Sequence, residues 1–374
     1  MTDFIWASII SIIFLSLFII AEIARKKGVC TEGTRKFVHF GGAFVTIFFP
    51  FVLSSHWTVL ALAVGFAIIM ILTKKLNLLK SIHCVDRKSD GAYYHPIAIY
   101  SCFLYSQILN QPWFYVISIL ILAISDALAA LVGKNYGAKE YLVEVGIRKT
   151  YEGSITFFLT TFLITHLILL LATNISRAES VLIALLIAII VTLFEANSLR
   201  GADNLFIPLG TLFILSKTIH STVSSISFQI EILLAFLFGY LILMLPYKRI
   251  SFSGVVLLGL INYIVWALLG NIYAIILLVL SFACAKTNII LNYDCDVADL
   301  YMVRPILYIL AVPIACSFLS GVLQTHAIYP FITSILCEAF IIRTKLFNGD
   351  LNKGLWLTSV LSIIALGVSY VFIR

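Results

Sequence analysis

Asp126, Ala130, Gly133 and Gly137 are spaced four, three and four along the chain. On a helix they fall on one stripe that carries a carboxylate and almost no other bulk, so a backbone or a ligand can approach it closely. A polar segment follows with Lys134, Lys139, Arg148 and Lys149, and then Thr150, Glu152, Gly153 and Ser154 open another apolar run. A nucleoside triphosphate would use this set of residue types. Its phosphates need lysines as point charges and backbone N–H groups laid bare by glycine or a helix start, and its divalent cation needs carboxylates. The two glycines alone are equally compatible with a helix-packing face. That reading leaves the carboxylate on the same stripe, and Glu152 so soon after the basic pair, without an explanation.

Two further groups carry the same kind of chemistry. Arg35, Lys36 and His39 share one helical face at the mouth of an apolar run, where they can contact a phosphate or relay a proton; a hydrogen-bonded interfacial histidine is the alternative. Glu195 and Asp203 flank a short turn at residues 199 to 202, and Asn204 follows. A charged carboxylate at the centre of a membrane helix costs on the order of 3 kcal/mol, so Asp126, Glu195 and Asp203 ask for a reason. If that turn faces the 134–154 segment, Asp126 and Asp203 become the leading Mg²⁺ ligands, with Asn204 beside them. Asp203 and Asn204 also suit a plain helix cap.

The pattern S-D-A-x-A-x-x-x-G-x-x-x-G from Ser125 to Gly137, with K-T-x-E-G-S at Lys149 to Ser154, resembles the signature shared by polyprenol kinases (dolichol, phytol and farnesol kinases) and the related CDP-diacylglycerol synthases. R-K-x-x-H at Arg35, Lys36 and His39 is similar to the start of the phytol and dolichol kinase pattern. The run from Arg87 to Pro96, and Asp203-Asn204-Leu-x-x-Pro208, resemble later blocks of the phytol-kinase-like members. Together these blocks span roughly the first 220 residues in the family's order.

The resemblance implies an integral membrane kinase that moves the terminal phosphate of CTP, with ATP the less favoured donor, to a long-chain isoprenoid alcohol. Its expected site has Asp126, Asp203, Glu152 and His39 in catalytic roles, with Mg²⁺ on Asp126, Asp203 and Asn204. Gly133, Gly137, Lys149, Thr150, Gly153, Ser154, Arg35 and Lys36 are then expected to bind the nucleotide. A phosphatidate cytidylyltransferase would use the same loop, but the His-Gly-Gly and D-R-x-D elements of that family are absent here. A non-enzymatic transporter or scaffold is the third reading; the clustering of glycine and carboxylate at one membrane face opposes it.

The elements that must position these residues are apolar. Of 374 residues 61% are hydrophobic and 11% charged, which excludes an ordinary soluble globule. We expect an all-α polytopic transmembrane bundle of up to about 14 helices, counted from apolar runs of spanning length, with no soluble domain. The runs lie near 4–24, 37–54, 57–73, 93–109, 113–133, 154–173, 180–199, 204–219, 229–246, 253–269 and 271–285, with three more beyond residue 304. The first reads as a retained span rather than a signal peptide.

If all cross, every Lys and Arg except Arg177, Lys217 and Arg374 lies in alternate loops. The positive-inside rule then puts the 134–149 segment in the cytoplasm, where nucleotides are, and both ends of the chain outside. This also accounts for the +7 formal charge without a nucleic-acid partner; the expected partners are the bilayer, a lipid alcohol and a nucleoside triphosphate. Seven cysteines show no metal-binding spacing. Residues 1–246 are expected to form the prenol-kinase-like domain and 247–374 additional helices of no assigned role. The spaced aspartates Asp294, Asp296 and Asp299 read there as a solvated acidic loop.

Overall fold

A computed structural model describes residues 2–76, 78–83, 91–144, 147–199, 201–244 and 252–290. The Arg87 to Asp90 part of the third block, the spaced aspartates and the three runs beyond residue 304 lie outside them. The described chain is almost wholly helical, as expected for a membrane bundle. Its order is α1 (Thr2–Lys26), α2 (Thr31–Thr46), α3 (Phe49–Val52), α4 (His56–Lys75), α5 (Lys80–His83), α6 (Gly91–Ile108), α7 (Pro112–Leu120), a π-helical turn (Ile121–Ser125), α8 (Asp126–Tyr136), β1 (Glu140–Glu144), β2 (Ile147–Thr150), α9 (Tyr151–Ala172), α10 (Arg177–Ala196), α11 (Asp203–Thr218), α12 (Val223–Met244), α13 (Phe252–Leu269) and α14 (Asn271–Ile290). Seven helical stretches are long and apolar enough to cross a membrane, with α7, the π turn and α8 forming one of them.

Helix ends follow local chemistry. Thr150 caps α9, its Oγ1 accepting from Gly153 N at 3.2 Å. Ser176 and Glu179 make a reciprocal capping box at the start of α10. Pro112 opens α7, where its missing N–H has no intrahelical partner to lose. The polar segment after α8 differs from the loop read in the sequence: β1 and β2 pair as a two-stranded hairpin.

The chain divides into two compact units, Met1–Glu140 with Lys149–Gln229, and Tyr141–Arg148 with Ile230–Arg374. In the first unit the α7–π–α8 rod is the buried centre. Phe114, Tyr115, Ile117, Ile119, Ile121 and Leu122 have no exposure, and α2, α6, α9 and α11 all pack against parts of the rod. Tyr115 donates to the Thr46 carbonyl at 2.9 Å, and Tyr105 to Ser216 Oγ at 3.1 Å, tying α7 to α2 and α6 to α11.

Helix α9 shows both of its surroundings. Phe157, Thr161, Thr165 and Leu169 are buried, while Ile155, Leu159, Leu163, Leu167 and Leu171 form an exposed apolar stripe at four-residue spacing. Such a stripe is stable only against lipid tails or another apolar surface. In the second unit Asn262 of α13 donates to Tyr240 Oη of α12 at 3.1 Å, and Tyr240 shares a hydrogen bond with Ser281 of α14 at 2.9 Å.

Candidate active site at the feet of α8, α9 and α11

Two carboxylates in apolar helices are accounted for by structural contacts. Asp3 accepts from Ser54 N and Ser55 N at 3.2 and 2.8 Å and so caps the approach to α4. Glu22 pairs with Arg25 at 2.6 Å and accepts from Ser81 N at 3.1 Å. Asp126, Glu195 and Asp203 are of another kind, because they are gathered together.

Asp126 sits immediately after the π turn. The extra residue in such a turn rotates everything beyond it by roughly 100° about the helix axis, re-aiming the carboxylate relative to the buried face of α7. Its charged neighbours are Asp203, Glu195, Lys149 and Lys36. Three carboxylates and two ammonium groups thus lie within electrostatic reach of one another, and the ammonium groups offset only part of the repulsion among the anions.

Lys149, the last residue before the Thr150 cap, crosses to the end of α10. Its Nζ donates to the Glu195 carbonyl oxygen, to Glu195 Oε1 at 2.6 Å and to Ser198 Oγ at 3.0 Å. Ser198 in turn donates to Asp203 Oδ2 at 3.1 Å, and Asn204 N donates to Asp203 Oδ1 at 3.0 Å. The turn between α10 and α11 therefore faces the Lys149 end of the signature segment. A cation at the C-terminal end of α10 is also favoured by the helix dipole.

On the opposite side stand two histidines. His39 of α2 has Arg35 and Asp203 as charged neighbours, and its ring lies 5.1 Å from that of His95 of α6. His39 Nε2, His95 Nδ1, Ser125 Oγ, Glu195 Oε2 and Asn197 Oδ1 are buried without a hydrogen-bond partner. Buried polar atoms are almost always paired, so the unpaired nitrogens of the adjoining His39 and His95 rings, like the free oxygen of Glu195, leave room for a further polar partner.

The other expected residues lie at the edge of this group. Gly133, Gly137 and Gly153 form a seam where α8 meets the start of α9. A Cβ on Gly133 would come within 2.6 Å of Thr150 Oγ1, and one on Gly153 within 3.0 Å of the Ala129 carbonyl oxygen. Thr150 fills the space the glycines leave. Glu152 lies beside the backbone of Ala138 and Lys139, where the chain leaves α8, and Ser154 sits half-buried in the first turn of α9.

Asp126 and Asp203 offer hard oxygen donors of the kind Mg²⁺ prefers. Among the described residues no three His, Cys, Asp or Glu side chains converge as a complete ligand set. Mg²⁺ does not require one, for it is held by roughly one or two carboxylates and fills its shell with water and phosphate oxygens. The residues present therefore fit the ion.

The chain is 35% identical over 184 residues to a phytol kinase of Synechocystis sp., an alignment that covers 49% of this chain and 78% of that protein. The chain belongs to the polyprenol kinase family, which includes the phytol kinases. No protein-family model and no solved structure matches it. For a polyprenol kinase the site adds two groups that motif reading passed over, Ser198 and His95, and gives Glu195 a partner in Lys149. Glu195 was visible as a carboxylate in an apolar run. His95 stands inside the third block between Tyr94 and Pro96, where a lone histidine among aromatic residues gives no separate signal.

Proposed function

We propose that the protein is a membrane kinase that transfers the terminal phosphate of a nucleoside triphosphate, CTP before ATP, to a long-chain isoprenoid alcohol, with phytol the first acceptor to test. The observation that carries this reading is the Lys149–Ser198–Asp203 chain of hydrogen bonds, with Asp126 and Lys36 within electrostatic reach of it, among helices whose outer faces are apolar. Phosphoryl transfer asks little covalent chemistry of a protein. It asks for charge neutralisation and alignment of the attacking and leaving oxygens, and this site has groups for both.

In this reading Lys36, Arg35 and Lys149 face the phosphate chain and screen its charge. Asp126 and Asp203, with Asn204 at the α11 start, are the groups that would hold Mg²⁺, which when bound neutralises charge on the phosphate oxygens. The alcohol enters from the bilayer with its hydroxyl toward these groups. Its oxygen forms the new bond to phosphorus as the bond to the bridging oxygen of the nucleoside diphosphate breaks. The hydroxyl proton passes to a nearby carboxylate or to the imidazole of His39. The site faces the cytoplasm in the orientation supported by the distribution of Lys and Arg.

The test is direct. Purified protein in lipid nanodiscs is given a panel of phytol, farnesol, a dolichol-like polyprenol and diacylglycerol, with CTP or ATP labelled on the first or the last phosphate. The expected result is last-phosphate label in an organic-soluble lipid phosphate, with the nucleoside diphosphate released. A nucleotide-linked lipid formed from phosphatidate would instead assign a cytidylyltransferase. No nucleotide-dependent product from any acceptor would remove the enzyme reading.

A further inference from the structure

Three acceptors surround the Lys149 ammonium, and an ammonium has three N–H donors and no acceptor. Its donors are thus fully matched by the Glu195 carbonyl oxygen, Glu195 Oε1 and Ser198 Oγ. That fixes the direction of the next link: having accepted from Lys149, the Ser198 hydroxyl has its one hydrogen for Asp203 Oδ2. Asp203 is then held at both oxygens, since Oδ1 accepts from Asn204 N. Glu195 is held differently. Its Oε1 depends on Lys149, and its buried Oε2 has no partner. The ion pair is 14% and 11% exposed at its two side chains, so little water is available to replace a lost contact.

We infer that Glu195 and Ser198, to which the signature motifs give no role, are positioning residues that set Lys149 and Asp203 as one unit. Glu195 holds the lysine at the end of α10, and Ser198 passes that hold to the carboxylate across the turn. This inference rests on the proposed kinase reading.

It has a particular consequence for the nucleotide. A saturated ammonium must release an acceptor before it can donate to a phosphate, and the Glu195 carboxylate is the acceptor that competes with phosphate in charge. Glu195 therefore weakens nucleotide binding while improving alignment for transfer. Damage to the fold would lower activity without producing that opposition.

Glu195→Gln keeps size and one acceptor oxygen but removes the charge. It is expected to lower the nucleotide KM several-fold and, with alignment lost, to lower kcat by about tenfold or more. Ser198→Ala removes the link to Asp203 together with the one neutral side-chain acceptor of Lys149, and is expected to raise the Mg²⁺ concentration for half-maximal activity by about tenfold, with a smaller fall in nucleotide KM than Glu195→Gln because no charge that competes with phosphate is lost.

A second readout needs no turnover: the thermal shift of the purified protein with a γ-imido analogue of CTP, titrated in nucleotide and in Mg²⁺. Glu195→Gln should reach half its shift at lower nucleotide concentration, and Ser198→Ala at higher Mg²⁺. Unchanged or raised nucleotide constants in Glu195→Gln overturn the role given to Glu195. An unchanged Mg²⁺ requirement in Ser198→Ala overturns the link to Asp203. Should Glu195→Gln fail to fold, Ser198→Ala alone decides whether lysine and carboxylate are coupled. Wild-type protein that shows the nucleotide shift but phosphorylates no alcohol would overturn the proposed function and leave the coupling standing on the thermal data. Wild-type protein that binds no nucleotide would overturn both.

Discussion

At the scale of single residues the site is defined by charges kept where charges are expensive. Asp126 stands among Asp203, Glu195, Lys149 and Lys36, and its carboxylate adds to a local repulsion that a well-packed amide would not. Asp126→Asn should therefore leave expression and thermal stability equal to wild type or better, because the neutral isostere relieves like-charge contact and lowers the insertion cost. Turnover should fall roughly 100-fold or more, the scale on which catalytic carboxylates act. The pair of measurements is a melting temperature and a kcat on the same preparation. A variant that keeps its activity would reassign Asp126 to packing. The residue scale is also where the sequence was most informative. Lys149, Asp126 and Asp203 stood out in the sequence as residue types in apolar or signature segments, and the structure links Lys149 to Asp203 through Ser198. The partner of Lys149 was not visible there, because a contact between residues 46 positions apart depends on how two helices cross and leaves no local trace.

At the scale of elements, the α8–α9 seam decides whether those residues meet. Gly153 leaves no room for a side chain: a Cβ there would lie 2.9 Å from Thr150 Oγ1, 3.0 Å from the Ala129 carbonyl oxygen and 3.5 Å from Gly133 Cα. Backbone atoms do not yield as a flexible side chain does. Gly153→Val should thus push α9 from α8, costing about 1–3 kcal/mol as overpacking and separating Lys149 from Asp126. Gly65, in the middle of α4, is a control, since a Cβ there meets nothing within 4 Å. Gly65→Ala should be neutral or stabilise by up to about 1 kcal/mol through helix propensity. Thermal melts of both variants in one detergent check the contrast. Glycine spacing made a close approach legible in advance, though not which surface would approach. The π turn before Asp126 was not legible at all. Ile121 to Ser125 are ordinary apolar and small residues, buried but for Ile124, and nothing in their types marks an extra residue per turn. The β1–β2 hairpin escaped for a related reason, being too short and too charged to read as more than a polar connection.

For the whole molecule, the helical membrane bundle followed from composition and from apolar runs whose ends the described helices match closely. The runs at 154–173 and 113–133, for instance, appear as Tyr151–Ala172 and Pro112–Tyr136. Where the compact units divide was less legible, since neither hydropathy nor motif order marks the change near residue 230 within α12. Orientation is the outstanding whole-molecule prediction. Single cysteines placed in the 134–149 segment should be labelled by a membrane-impermeant reagent only from the cytoplasmic side, and those at residues 174–176 only from the other. The reverse pattern would part the site from its nucleotide.

The exposed apolar stripe of α9 begins at Ile155, one residue beyond the Lys149–Ser154 turn. If that stripe lies against lipid, an acceptor dissolved in the bilayer reaches the site by sliding sideways, without passing through water. The enzyme then samples a two-dimensional solution, and its effective substrate concentration is a mole fraction in the membrane. Adding inert phospholipid at constant total alcohol should slow the reaction in proportion to dilution within the surface, whereas enlarging the aqueous volume at a fixed alcohol-to-lipid ratio should leave the rate per enzyme unchanged.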